Sequence, residues 1–143
     1  MEYLGKVNNL SFYNDSKATN FASSVTGLKA IPQPIILLAG GIQKKGDFLP
    51  WMKQIKRSTN GIVLFGLSAN NLKEALLMSS YKGKIIVKQN LEEATIASLD
   101  MARTTNSKSI LLSPACASFD QYQNYEERGD HFKKLVKKHR EIK

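Results

Sequence analysis

Three polar segments of the chain carry the side chains that could bind a ligand. They span residues 14–20, 40–47 and 113–128. Together they contain lysine ammonium groups, hydroxyls and loop N–H groups, which are donors that suit a ligand with several carboxylates or phosphates. Taken one at a time, such lysines are ordinary surface charges, but gathered on one edge of a fold they predict an anion-binding site. The donors considered are Lys17, Lys44, Lys45 and Ser118.

Other kinds of site have little support in the sequence. The glycines at 40, 41 and 46 fit neither G-x-x-x-x-G-K-[ST] nor G-x-G-x-x-G, so the usual phosphate loops of nucleotide sites are missing. One cysteine and two histidines give no metal-ligand cluster. Cys116 has no histidine in its own segment to act as a base, so we expect a packed thiol rather than a nucleophile. We expect His139 on the packed face of the last helix and His131 on the surface at its start.

Five apolar runs are expected to form the strands that position these segments. They lie at residues 7–13, 35–39, 61–65, 84–87 and 109–112, and each is followed by a helical pattern. Alternating strands and helices predict an α/β fold, with a doubly wound, mainly parallel sheet and helices on both faces. Right-handed crossovers then place all the loops that follow strands along one edge of the sheet, where ligands bind. The loops at 66–68 and 88–90 are short and carry no candidate.

The predicted helices have recognisable starts. The first is expected to end near residue 30, with capping residues in segment 14–20. Asp47 is the expected cap of the second helix and Ser68 that of the third, while Asn90 and Glu93 have the spacing of a capping box. The last helix is predicted to end near Ile142. The segment before it is long for a connection in an α/β domain, and long connections are usually functional.

The charge of the chain leaves two kinds of function open. With 21 Lys and Arg against 12 Asp and Glu, the net charge is +9, which favours anionic partners. The lysines of the last helix lie opposite its apolar positions, Phe132, Leu135 and Val136, and no aromatic residues interleave with them to stack bases. A solvated face is therefore favoured, and a basic nucleic-acid-binding module remains the competing hypothesis.

Composition also bears on the compartment. A single cysteine excludes an internal disulfide, which favours a reducing environment. No apolar run approaches the length that spans a bilayer, and residues 1–5 do not look like a signal peptide. We therefore expect a cytoplasmic protein that does not contact a membrane.

The three polar segments also resemble those of a known family. The chain is similar to the C-terminal domain of the Mur ligases at three motifs, in the same order: Asn14-Asp-Ser-Lys-Ala-Thr-Asn20, Gly40-Gly-Ile-Gln-Lys-Lys-Gly-Asp-Phe48, and Leu112-Ser-Pro-Ala-Cys-Ala-Ser-Phe-Asp-Gln121 with Asn124-Tyr-Glu-Glu-Arg-Gly129. The likeness covers nearly the whole chain, and it is greatest to the members that add D-glutamate to UDP-N-acetylmuramoyl-L-alanine in peptidoglycan synthesis. It implies a Rossmann-like domain over residues 1–143, without the N-terminal UDP-binding and central ATP-binding domains of the full enzymes.

The resemblance also implies roles for individual residues. Backbone N–H groups near Phe119 and Tyr125 would assist the side chains that hold the D-glutamate carboxylates, and Lys17 would add positive charge beside them. Asp15 would reach the ribose of ATP, and no catalytic residue would lie in this domain alone. Lys45 stands where a glycine is common in the family, so the choice between Lys44 and Lys45 stays open. The implied D-glutamate-binding set is Thr19, Lys17, Lys44, Ser118, Phe119 and Tyr125.

The reaction implied by the resemblance has two steps. ATP phosphorylates the alanyl carboxylate, and the D-glutamate amine then attacks the acyl phosphate. The full enzyme would use ATP and Mg²⁺, neither of them held by this domain alone, and the lone domain would be inactive. The implied partners are D-glutamate, UDP-N-acetylmuramoyl-L-alanine, ATP and the two other domains, within a monomer that binds no nucleic acid. A ligase for another amino acid, such as L-lysine or diaminopimelate, is an alternative.

Overall fold

A computed structural model describes residues 1–141, which form a six-stranded sheet and five helices. The apolar runs become strands and the capped amphipathic segments become helices, as their patterns predict. In chain order the elements are β1 (Glu2–Val7), β2 (Leu10–Asn14), α1 (Phe21–Lys29), β3 (Ile35–Gly40), α2 (Leu49–Ser58), β4 (Thr59–Phe65), α3 (Ala69–Met78), β5 (Lys84–Lys88), α4 (Leu91–Thr105), β6 (Ser109–Leu112) and α5 (Tyr125–Glu141).

The sheet is mainly parallel and is covered on both faces, as predicted. Its strand order is β1-β2-β6-β3-β4-β5, and only the β1–β2 pair is antiparallel. Ile35, Leu37 and Ala39 of β3 pack with α1, α2 and α3, whereas Ile36 and Leu38 pack with α4 and α5. Every residue of β3 is buried, and burying each large aliphatic side chain stabilises the fold by about 1.5–3 kcal/mol. The strands therefore present the loops that follow them from a rigid platform.

The prediction of one strand over residues 7–13 was wrong. This part of the chain turns back on itself, because Asn8 and Asn9 adopt left-handed conformations with φ of 52° and 68°. Two residues with positive φ form the tight turn that suits a β-hairpin, and asparagine tolerates that conformation. Val7 therefore pairs with Leu10, and β1 becomes an additional edge strand.

Several predicted helix starts also need correction. Helix α2 begins at Leu49 with Phe48 in the cap position, while the Asp47 carboxylate accepts from the Leu49 N–H at 3.1 Å. Ser68 precedes α3 but does not cap it with its side chain. By contrast, Asn90 caps α4 as predicted, accepting from the Glu93 N–H at 2.9 Å.

The last helix begins earlier than the sequence suggested. Because α5 starts at Tyr125, the connection after β6 covers residues 113–124, and Arg128 lies within the helix. The predicted end near Ile142 lies outside the described residues. Within residues 1–141, none of the helices is long and apolar enough to cross a membrane.

Candidate functional site

Strand order brings the three polar segments together. β6 lies between β2 and β3, so the β6 loop (residues 113–124) lies between the β2 loop (15–20) and the β3 loop (41–48). The Ala115 N–H donates to the Ala18 carbonyl at 2.9 Å. On the other side, Ala117 and Ile42 exchange two backbone hydrogen bonds, each of 2.9 Å. The three loops thus form one hydrogen-bonded surface at the edge of the sheet where the parallel strands end, which we call the carboxyl edge.

Two glycines make this close approach possible. Gly40 and Gly41 have φ of 146° and 126°, a region that side chains rarely adopt. A Cβ atom at Gly40 would collide with the Phe65 carbonyl oxygen, and one at Gly41 with that of Ala117. The glycine pair therefore lets the β3 loop lie directly against its neighbours.

The side chains that were predicted to bind the carboxylates of an amino acid lie on these loops. The Lys44 ammonium donates to the Thr19 hydroxyl at 3.3 Å, so these two side chains meet across the β2 and β3 loops. Ser118 is 2% exposed and follows Ala117, which the bridge to Ile42 holds in place. Lys17 and Lys44 are exposed and Thr19 is half-buried. The arrangement places a cation and hydroxyl donors from three loops along one edge.

The two positions predicted to act through the backbone differ in their surroundings. Phe119 is 68% exposed, so its ring does not pack into the core. Tyr125 is half-buried and is the first residue of α5. A backbone N–H in the first turn of a helix has no partner within that helix, and it lies at the end that attracts anions.

Asp15 is held in a largely enclosed position. Its carboxylate accepts a hydrogen bond from the Ser113 hydroxyl at 2.8 Å, and the side chain is 13% exposed. Burial raises the pKa of Asp15, and the Ser113 hydrogen bond partly opposes that shift. The carboxylate lies against Gly27 of α1, where a Cβ atom would collide with it.

Arg128 is a buried residue of the motif Asn124–Gly129 for which the sequence predicted no role of its own. Its side chain is fully buried, and its guanidinium donates from Nε to the Ser16 hydroxyl at 2.9 Å, from Nη2 to the Ser16 carbonyl at 2.8 Å and from Nη1 to the Cys116 carbonyl at 3.0 Å. Burial lowers the pKa of Arg128 to about 10, so it keeps its charge at neutral pH. One sequence signal could have found it, because Arg128, Phe132 and Leu135 share the spacing of a buried helical stripe.

The loops that looked bland in the sequence also support the site. Ser68 accepts from the Gln43 N–H through its hydroxyl at 2.9 Å, which explains why it does not cap α3. The Asp120 carboxylate accepts from the Leu67 N–H at 2.9 Å. These contacts fasten the loop after β4 to both the β3 loop and the β6 loop. No short sequence pattern signals them, because each joins residues far apart in the chain.

Three relatives of this chain share one name. The chain is 82% identical over all 143 residues to a "UDP-N-acetylmuramoylalanine--D-glutamate ligase" of Prochlorococcus marinus (strain NATL2A). It is 42% identical over 139 residues to the protein so named from strain MIT 9313, and 44% identical over 135 residues to that of Trichodesmium erythraeum (strain IMS101). The chain belongs to the Mur ligase family. No protein-family model matches it. The matches cover at least 94% of this chain but only about 30% of the relatives, so it corresponds to part of a Mur ligase.

The thiol of this Mur ligase chain is packed, as predicted. Cys116 is fully buried, and burial raises its pKa to about 12, although the nearby Arg128 lowers it somewhat. A thiol in that state is neither a nucleophile nor a metal ligand at neutral pH. Among residues 1–141, no group of three or more His, Cys, Asp or Glu side chains could hold a metal ion.

The two histidines of the Mur ligase chain belong to its packing. His139 is half-buried on α5, in agreement with the prediction of a packed position. His131 is not the exposed helix-start residue that was predicted. It lies inside α5, half-buried, with its Nδ1 at 2.6 Å from the Tyr122 hydroxyl at the end of the β6 loop. Its contact helps to fix where the β6 loop meets the helix.

Proposed function

We propose that this chain is the C-terminal domain of a ligase that adds D-glutamate to UDP-N-acetylmuramoyl-L-alanine at the expense of ATP. The observation that carries the proposal is the 82% identity, over every residue of the chain, to a protein of that name. The geometry adds support, because the loops expected to bind an acidic amino acid are neighbours at the carboxyl edge. The remaining two thirds of such an enzyme would supply the N-terminal UDP-binding and central ATP-binding domains.

D-Glutamate would bind through its two carboxylates. Lys44, Thr19 and Ser118 come from three different loops and offer an ammonium group and two hydroxyls. The 3.3 Å contact between Lys44 and Thr19 favours Lys44 over Lys45 as the family's lysine. Hydrogen bonds between charged partners are about twice as strong as neutral ones, so the lysine would dominate this interaction. The D-glutamate ammonium must lose a proton before the amine can attack. Cations that face the carboxylates would not block that nitrogen, and positive charge nearby favours its neutral form.

The other residues of the D-glutamate-binding set would add further contacts to the carboxylates. Lys17 lies between Ser16 and Ala18 on the β2 loop and would add positive charge beside the carboxylates. Backbone N–H groups near Phe119 and Tyr125 would donate to them. The N-terminus of α5 suits that role at Tyr125, because the N–H groups of a first helical turn favour a negative charge, although the Glu127 N–H already donates to the Asn124 side chain at 2.8 Å.

The domain would also take part in the ATP site. Asp15 would accept hydrogen bonds from the ribose hydroxyls, as the resemblance implies. ATP and Mg²⁺ would be held by the other domains, since this chain carries no phosphate-binding glycine motif. Closure of this domain over them would bring the amine to the acyl phosphate and exclude water from that intermediate. The isolated domain would therefore be inactive, and the enzyme would act as a cytoplasmic monomer.

The decisive experiment measures phosphate release by the full-length protein that contains this chain. ATP and UDP-N-acetylmuramoyl-L-alanine are supplied, and D-glutamate, L-glutamate, L-lysine or D-alanyl-D-alanine is added in turn. We expect turnover above the acceptor-free background with D-glutamate alone. Turnover with another acceptor would overturn the specificity, and no turnover with any of them would overturn the proposed function.

A further inference from the structure

Arg128 is buried and, within residues 1–141, forms no ion pair, although the charge of the nearby Asp120 partly offsets the effect of burial on its pKa. Its three recorded hydrogen bonds go to two carbonyl oxygens and a hydroxyl. Burying a charge is costly unless hydrogen bonds or an opposite charge compensate for it. A neutral side chain could fill the same space at lower cost, so the guanidinium needs a reason beyond packing.

The hydrogen-bond acceptors of Arg128 lie on the two loops that carry the hydroxyls of the proposed site. Ser16 precedes Lys17 and lies three residues before Thr19, while Cys116 lies two residues before Ser118. The planar guanidinium thus spans from the β2 loop to the β6 loop, the two loops that carry the hydroxyls of the proposed site. A lysine could not do this, because a single ammonium group lacks the fixed fork of donors.

Helix α5 is fastened to the same point by further contacts. The Ser16 hydroxyl donates to the Tyr125 carbonyl at 2.7 Å while it accepts from Arg128. The Asn14 amide donates to the Gly129 carbonyl at 3.3 Å. The start of α5, where Tyr125 lies, is therefore set by the same network that holds the β2 loop.

We propose that Arg128 is a positioning residue for the D-glutamate site. It sets the separation between Thr19 and Lys17 on the β2 loop and Ser118 on the β6 loop, and it holds the start of α5 against both. This inference rests on the proposed function and adds to it a residue that does not touch the substrate. Its loss should weaken the binding of the amino acid more than that of ATP, because the Asp15 carboxylate is also held by Ser113.

The test uses steady-state kinetics of the full-length protein with Arg128→Met, Arg128→Lys and Ser16→Ala. Arg103→Met is the matched control, since Arg103 is an arginine of α4 whose side chain is 68% exposed. We expect both Arg128 variants to raise the KM for D-glutamate by about ten- to a hundredfold, the effect of lost charged hydrogen bonds and a shifted ligand. Ser16→Ala should raise it by about three- to tenfold, because it removes the Nε acceptor but keeps the two carbonyl contacts. The KM for UDP-N-acetylmuramoyl-L-alanine and kcat at saturating D-glutamate should change little, and the KM for ATP should rise less than the KM for D-glutamate.

The outcomes distinguish a positioning role of Arg128 from a requirement for charge alone and from a purely structural role. If Arg128→Lys keeps the wild-type KM for D-glutamate, charge alone is required and the positioning role is refuted. If folded variants show an unchanged KM, or a fall in kcat with every KM intact, Arg128 only maintains the fold. If Arg128→Met does not fold, Arg128→Lys and Ser16→Ala carry the test, and unchanged kinetics in both would overturn the inference. The wild-type protein separates the two proposals, because a failure of the proposed function appears there as no turnover with D-glutamate.

Discussion

Replacing Gly27 by alanine tests how Asp15 is held. Gly27 is buried in α1, and its φ is not in the left-handed region, so the backbone accepts alanine without strain. Helix propensity alone then predicts a gain of about 1 kcal/mol for the substitution. The new Cβ atom would collide with the Asp15 carboxylate and lie 3.2 Å from the Ser113 hydroxyl. The carboxylate must therefore move away from Ser113.

The magnitudes decide the sign of the result. Losing a hydrogen bond to a charged group costs about 1.5–3 kcal/mol, and the displaced carboxylate regains some hydration. The loss offsets or exceeds the gain in propensity, so we expect Gly27→Ala to lower the free energy of unfolding by between zero and about 2 kcal/mol. In the full-length protein, moving Asp15 should also raise the KM for ATP by about tenfold, with the KM for D-glutamate unchanged.

The assay is urea unfolding of the chain, together with ATP-dependent kinetics of the full-length protein. Thr26→Ala is the control, because Thr26 is an exposed neighbour in the same helix and the change also favours helix formation. We expect this control to leave the KM for ATP unchanged. A gain of about 1 kcal/mol in Gly27→Ala, with an unaltered KM for ATP, would refute the described packing of Asp15 against α1.

Three further predictions concern stability and reactivity. Cys116, whose pKa is raised to about 12 by burial, should resist a thiol reagent in native protein at pH 8 and react fully in urea; rapid native labelling would contradict its packing. Burial raises the folded pKa of Asp15 above the ordinary value of 3.8, so its contribution to stability is present below that pH and is lost as the pH rises through the folded pKa. The unfolding free energy of Asp15→Asn relative to wild type should therefore increase from about pH 4 to pH 7, and a difference independent of pH would argue against the shift. Asn90→Ala removes the α4 cap and should lower the free energy of unfolding in urea by about 1 kcal/mol. Asn70→Ala is the control, because Asn70 is an exposed position inside α3. An equal loss in both variants would show that the effect is not capping.

Local patterns were sufficient for most of the elements. Strand β3 is an uninterrupted apolar run, and such a run has few alternatives to a strand buried on both faces. Asn90 and Glu93 marked the start of α4 through their spacing. The hairpin was not predicted, because β1 is a largely exposed edge strand and its turn is made by Asn8 and Asn9 rather than by a glycine. Periodicity carries little information where one strand is polar and the turn is only two residues long.

The candidate site also has features that follow from local sequence and features that follow only from the tertiary structure. The sequence by itself determined the alternation of strands and helices and the side chains able to bind an anion, because both depend on residue type and short spacing. Only the tertiary structure decided that these side chains meet, since β6, the last strand in the chain, inserts between β2 and β3. It alone assigned Arg128 to the support of the β2 and β6 loops, because its acceptor Ser16 lies 112 residues away in the chain. Contacts over such distances depend on how the strands are ordered in the sheet, and no local pattern of residues records that order.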